Sequence, residues 1–181
     1  MIRKVTAEDR EVFLPMLREF YHSPAVLHPI PGDHFERTFA QIAAGSPLLE
    51  AYLFVEEGGI AGYAQISYTW SNEAGGLCAW IEEIYVRPQF QGKGIGARFF
   101  REFEEKSQGK ISRIRLEVEA DNTGASRLYE RLGFEKMPYL QMYKELDVGG
   151  CAAGKPAAFL SFMKFSEINR NRFVNSKSIT L

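Results

Sequence analysis

The chain has 181 residues, with hydrophobic side chains at 45%, charged ones at 25% and a formal net charge of -1. That length and apolar content can supply a core without a disulfide or metal staple; the composition excludes a disordered acidic chain and a collagen-like one. The near-neutral balance also argues against a protein held to nucleic acid by bulk charge.

Residues 2–5 predict a short first strand. Thr6, with Asp9 three residues on, forms an imperfect capping box before Val12, Phe13, Met16, Leu17 and Phe20, which recur at helical spacing. Pro24, Pro29 and Pro31 predict a loop over 22–32. Asp33 is placed to cap a second helix carrying Phe35, Phe39 and Ile42, which Gly45 ends. The pattern then changes to strands at 48–55, 60–68 and 77–86. Short turns at 57–59 and 72–76 join them, so the expectation is an antiparallel meander. A helix over 94–107 follows, then a strand over 111–118, a helix over 123–132 and a final strand around 139–146. The element order predicts a mixed α/β domain.

Gly149-Gly150-Cys151-Ala152-Ala153-Gly154-Lys155-Pro156 reads as a linker, which places a boundary near Asp147. The expected division is a domain over 1–146 and a basic, aromatic extension over 147–181. The extension carries Lys155, Lys164, Arg170, Arg172 and Lys177 against Asp147 and Glu167, leaving a mildly acidic body. Its cluster Phe159, Leu160, Phe162, Met163 and Phe165 would pack on its own domain or on a second subunit, so a homodimer is one expectation. Cys78 and Cys151 are too far apart for a metal spacing and too few for a disulfide scaffold. With no apolar leader at the N-terminus and no run approaching the roughly 20 apolar residues of a membrane span, the expectation is a cytoplasmic protein with reduced thiols and no membrane partner.

The richest segment is Val86-Arg87-Pro88-Gln89-Phe90-Gln91-Gly92-Lys93-Gly94-Ile95-Gly96, which joins a strand to a helix. Glycines where a helix begins let backbone N–H groups approach an anion, and the helix end adds unsatisfied donors. A Walker loop fails because Lys93 is followed by Gly94. Gly92-x-Gly94-x-x-Ala97 fits a dinucleotide fingerprint, with Glu117 near the place of a ribose-binding acid. Against it, Arg87 to Gln91 intervene after the strand, and the loop follows a meander. A tight turn with no ligand is the plainest alternative.

Gln91-Gly92-Lys93-Gly94-Ile95-Gly96 matches the pattern Gln/Arg-x-x-Gly-x-Gly/Ala, and here the sequence resembles the GCN5-related N-acetyltransferases, the GNAT superfamily. Asn122-Thr123-Gly124-Ala125-Ser126-Arg127-Leu128-Tyr129-Glu130-Arg131-Leu132-Gly133-Phe134 is similar to that family's Asn-x-x-Ala-x-x-x-Tyr-x-x-x-Gly-Phe segment. The resemblance covers residues 1–146. It implies a GNAT-type α/β (α+β) fold, with a mixed, mostly antiparallel central sheet flanked by helices and a splayed central parallel strand pair. It implies acetyl-CoA as co-substrate, with the pyrophosphate on Gln91, Gly92, Lys93, Gly94, Ile95 and Gly96. The pantetheine arm would lie along Ile84, Tyr85 and Val86, with Asn122 contacting it. Tyr129 would reach the coenzyme A sulfur as acid; the plain alternatives are a helix cap for Asn122 and a packed ring for Tyr129.

Amine acetylation needs a base as well, because an alkyl ammonium has a pKa of roughly 10 and must lose a proton before attack. Glu82 and Glu83 are two acids in an otherwise apolar strand. Either could be the base or bind a cationic amine, or the pair could be one solvated and one salt-bridged carboxylate. Glu82 is the preferred base, on the expectation that its face also holds Trp80, Ile84 and Val86. The polyamine-acetylating branch, typified by spermidine/spermine acetyltransferase, resembles this arrangement. Tyr68, Trp70 and Trp80 could cage a cation or pack in the core. His22, His28 and His34 recur every six residues, which is not a helical metal-pair spacing, so no metal is expected.

The function expected is acetyl-CoA-dependent N-acetylation of a primary amine of a small molecule, by direct attack in a ternary complex. The alternatives are acetylation of a protein N-terminus or lysine, and a module that binds acyl-CoA without turning it over.

Overall fold

Five strands form one sheet in the order β1-β2-β3-β4-β5, in a computed structural model that describes residues 1–23, 30–144 and 146. β1 (Ile2–Lys4), β2 (Leu49–Glu56), β3 (Gly59–Ser71) and β4 (Gly76–Val86) pair antiparallel, and β5 (Arg113–Leu116) runs parallel to β4. Among the described residues four α-helices flank them: α1 (Arg10–Tyr21), α2 (Gly32–Ala43), α3 (Ile95–Ser107) and α4 (Thr123–Arg131).

The local chemistry explains the start of α1. Thr6 donates from its backbone N–H to Asp9 Oδ2 at 2.8 Å, and Arg3 grips the same carboxylate at 2.6 and 2.7 Å. The first turn is thereby tied to β1. The helical spacing foreseen for α1 is realised: Phe13, Met16 and Leu17 are buried and pack with Phe35, Phe39 and Ile42 of α2 on Ala51, Leu53 and Tyr63. Each such side chain contributes about 1.5–3 kcal/mol on burial. On the opposite face, Ile95, Phe99, Phe100 and Phe103 of α3 and Tyr129 of α4 pack on Phe54, Ala64, Ile66, Ala79 and Ile81.

Two expectations differ from the structure. α2 starts at Gly32, after Pro31, so Asp33 lies inside the first turn and pairs with Arg37 at 3.1 Å instead of capping. The fixed φ of Pro31 suits a helix entrance better than a side chain further on. The second concerns the last strand; the chain falls into two compact units, Met1–Met137 and Pro138–Leu181. In the second unit, the described residues 138–144 and 146 contain no strand, although 139–146 read as one. Strand propensity reports how a side chain fits a paired, half-buried surface, and apolar side chains alone do not supply the pairing. The linker, Cys151 and the aromatic cluster near 159–165 lie outside the described residues. Among the described residues no helix is long and apolar enough to cross a membrane.

Candidate acyl-transfer site

The site grows out of an irregularity in β4. Gln65 of β3 pairs with Glu83, and the next residue, Ile66, pairs with Ile81, so Glu82 is an extra residue with no partner opposite. Such a bulge resets the alternation of side chains. Before it, Ala79 and Ile81 pack on the α3–α4 face; after it, Ile84 and Val86 do so, while Tyr85 packs on the α1–α2 face. The expectation that Glu82 shares a face with Ile84 and Val86 is therefore overturned. Its carboxylate accepts from Ser67 Oγ, and Ser67 is the cross-strand partner of Trp80. Trp80, Glu82 and Glu83 thus share the α1 side.

The bulge coincides with the end of the parallel ladder. β4 pairs with β5 only from Cys78↔Arg113 to Ile81↔Leu116. Beyond Ile81, β4 runs on to Val86 with no strand paired to its β5 side among the described residues. This is the splayed strand pair, and Ile84, Tyr85 and Val86 line the opening. Gln91 donates from Nε2 to the Val86 carbonyl at 2.9 Å, so it anchors the glycine loop to the end of the same strand.

Within that loop, Gly92 and Gly94 have φ of 76° and 72°, conformations that L side chains rarely adopt. Gly94 occupies the cap position of α3 and offers no side-chain oxygen. The first N–H groups of α3 are left for another acceptor, at the positive end of the helix dipole. A Cβ on Gly96 would meet Leu128 and Ile84 at 3.7 and 3.8 Å, ordinary contact distances, so packing alone does not demand a glycine there. The Lys93 ammonium rests 5.2 Å from the centroid of the Phe90 ring.

On the α3–α4 side, Asn122 accepts at Oδ1 from the Ala125 N–H at 3.1 Å and so caps α4. Tyr129 is buried; its ring meets Phe100 and Phe134 edge-on at 5.7 and 5.8 Å. Its hydroxyl has no hydrogen-bond partner among the described residues. Burial pushes the phenol up from its ordinary range, so it keeps its proton at neutral pH.

On the α1 side, Glu83 is 8% exposed. Tyr21 at the end of α1 donates to its Oε1 at 2.8 Å, and Tyr63 of β3 donates to its Oε2 at 2.6 Å. Burial raises the carboxyl; the two tyrosine hydrogen bonds oppose that rise, and the Glu82 charge adds to it. Glu82 itself is exposed. Gln65, opposite Glu83 and 8% exposed, has a buried Oε1 with no hydrogen-bond partner among the described residues. The residues that the sequence reading missed are Tyr21, Tyr63 and Gln65. Period-two alternation along β3 would have set Tyr63 and Gln65 on one face, but nothing in the sequence links them to Glu83.

The cage of Tyr68, Trp70 and Trp80 is not formed. Tyr68 packs on the α3–α4 face and donates to Glu50, Trp70 is 73% exposed, and Trp80 lies across the sheet under the Arg115 guanidinium, 4.4 Å from the ring centroid. His22 Nδ1 lies 2.7 Å from the Arg18 carbonyl, and His28 lies outside the described residues. Among the described residues no group of three or more His, Cys, Asp or Glu could hold a metal ion.

A profile of the Acetyltransferase (GNAT) family matches residues 14–134. The N-alpha-acetyltransferase RimI of Mycobacterium tuberculosis is 36% identical over 63 residues, 35% of this chain and 39% of the relative. The spermine/spermidine N(1)-acetyltransferase of Bacillus subtilis is 30% identical over 100 residues, 52% of this chain and 60% of the relative. The chain spans less than two thirds of the length of these curated relatives. The solved structure of AAC(6')-Iy with the bisubstrate analog CoA-S-monomethyl-acetylneamine superimposes with a TM-score of 0.66 at 17% identity, over 81% of this chain and 97% of that one, which is a likeness of fold. With the family profile spanning two thirds of its length, the chain belongs to the acetyltransferase (GNAT) family.

Proposed function

We propose that the protein transfers the acetyl group of acetyl-CoA to a primary amine of a small molecule. The observation that carries this reading is the interrupted strand β4, which opens beside β5 with two carboxylates on one face and a buried phenol packed on the other. The glycine loop and the first turn of α3 would hold the pyrophosphate through Gln91, Gly92, Lys93, Gly94, Ile95 and Gly96. The pantetheine arm would pair with the free edge of Ile84, Tyr85 and Val86, with Asn122 beside it.

The amine nitrogen attacks the thioester carbonyl; a C–N bond forms and the C–S bond breaks. The ammonium proton passes to the Glu82–Glu83 pair. Glu82 has the accessible carboxylate and receives the amine. Glu83, whose carboxyl burial raises, is held in place by Tyr21 and Tyr63. The departing thiolate takes the proton of Tyr129, and the second proton, which the nitrogen sheds as the tetrahedral intermediate collapses, returns to the phenolate through solvent. No acyl-enzyme forms, so initial rates with both substrates varied should give intersecting double-reciprocal lines. Parallel lines together with an acetylated protein would refute direct attack. The likeness to RimI supports a protein N-terminus as a second candidate acceptor. A peptide that outcompetes every free amine would favour it.

A further inference from the structure

The α1-facing side of the sheet carries chemistry that acetylation of a plain amine does not use. One rung crosses three strands: Ser67 of β3 pairs with Trp80 of β4, which pairs with Arg115 of β5. The guanidinium of Arg115 lies over the Trp80 ring at 4.4 Å. Its neighbour two residues back, Arg113, is neutralised by Glu73 at 3.0 Å. Arg115 pairs with no carboxylate among the described residues. Stacking on an indole fixes the guanidinium plane and leaves its N–H donors directed outward. The other end of this surface has the opposite character. Glu82 and Glu83 are there, and the Oε1 of Gln65, buried beside Glu83, lacks a donor among the described residues. A buried acceptor without a partner is costly unless a ligand supplies the hydrogen.

The two ends are close. Glu82 is two residues beyond Trp80, and Arg115 is one strand across, so their backbones are separated by roughly 8 Å. We infer that the acceptor carries a carboxylate as well as the reacting amine: a free diamino acid, with its side-chain amine at Glu82, Glu83 and Gln65 and its α-carboxylate on Arg115. The Trp80 ring forms the apolar floor beneath the carbons between them. This inference rests on the acetyltransferase reading and narrows its substrate class. A polyamine would meet an uncompensated guanidinium at this position, which disfavours it electrostatically.

The test uses a matched pair of probes, lysine and cadaverine, which differ only by the α-carboxylate. The full chain is given saturating acetyl-CoA, and kcat/KM is measured for each amine by free thiol release. Charge-assisted hydrogen bonding to the guanidinium should favour lysine by roughly tenfold or more, and the preference should shrink as salt is raised. Arg115→Ala should erase it by lowering kcat/KM for lysine without lowering it for cadaverine, which is relieved of the guanidinium charge, and Arg115→Lys should restore part of it. Cadaverine used as well as lysine by the unaltered protein would overturn the inference. So would an equal loss on both amines in Arg115→Ala, which would make Arg115 a structural stacking partner. Turnover of other amines but of neither probe would also overturn it, with the acetyltransferase reading intact. Absence of turnover with every amine would overturn that reading itself, and this inference with it.

Discussion

Removing the phenol of Tyr129 separates catalysis from packing with little ambiguity. The ring sits among Phe100 and Phe134 and is buried, while the hydroxyl bonds to nothing among the described residues. Tyr129→Phe therefore keeps every ring contact and orphans no protein group, so the stability change should stay within about 0.5 kcal/mol. The chemical effect should be larger. A positioned general acid contributes roughly 10²–10⁴-fold. A thiol leaving group with a pKa of roughly 8.5 needs less help than an alkoxide would, so the expected loss is at the low end, about 10²-fold in kcat. Affinity for coenzyme A should change by less than about threefold, because the binding groups proposed for it lie in the loop and β4. The assay is steady-state thiol release beside calorimetric titration with coenzyme A and a thermal melt. An unchanged kcat would refute the acid role, and a loss confined to cofactor affinity would reduce Tyr129 to a wall of the slot.

Three further perturbations have signs set by the structure. Gly94→Ala places a side chain at a φ of 72°, costs about 1 kcal/mol of stability and crowds the first turn of α3, so coenzyme A binding should weaken at least about tenfold; unaltered affinity by titration would remove the loop from the site. Burial raises the Glu83 carboxyl, so the folded protein holds a proton that the unfolded chain has already released, and stability declines as pH climbs from about 4.3 through the folded value. Glu83→Gln should lose this slope, and urea midpoints of the two proteins that stay parallel between pH 4 and 8 would contradict the burial argument. Asp9 shows the opposite sign: the Arg3 guanidinium, opposed by burial and aided by Thr6, holds its carboxyl down to about 2. Its contribution is present above the unfolded pKa and lost as pH falls from about 4 towards 2, and Asp9→Asn should cost about 2 kcal/mol by chemical denaturation without changing turnover.

The elements legible in the sequence are those whose cause is local. The helical spacing of Phe13, Met16 and Leu17 and the turn glycines near 58 and 75 mark α1 and the meander directly. The glycine loop before α3 is equally plain, because φ values of 76° and 72° exclude most other residues from Gly92 and Gly94. The acid pair was visible as a chemical anomaly, yet its orientation was misread. A bulge at Glu82 is a property of the pairing between β3 and β4, and no residue in Ile81-Glu82-Glu83-Ile84 announces it. The tyrosines on Glu83 were hidden for the same reason, lying 62 and 20 residues away along the chain. At 139–146 the converse holds: apolar side chains suggest a strand, but none forms in the described residues because they do not by themselves supply a pairing partner.

The central claim is that the opening beside β4 brings acetyl-CoA and an amine together for transfer. Mixing the full chain with acetyl-CoA and an amine panel, and quantifying acetylated amine by mass against free thiol, tests it most directly. The account predicts one acetylated amine for each thiol released, with none formed when the amine is omitted. Acetyl-CoA that binds yet yields no acetylated product with any amine would contradict it.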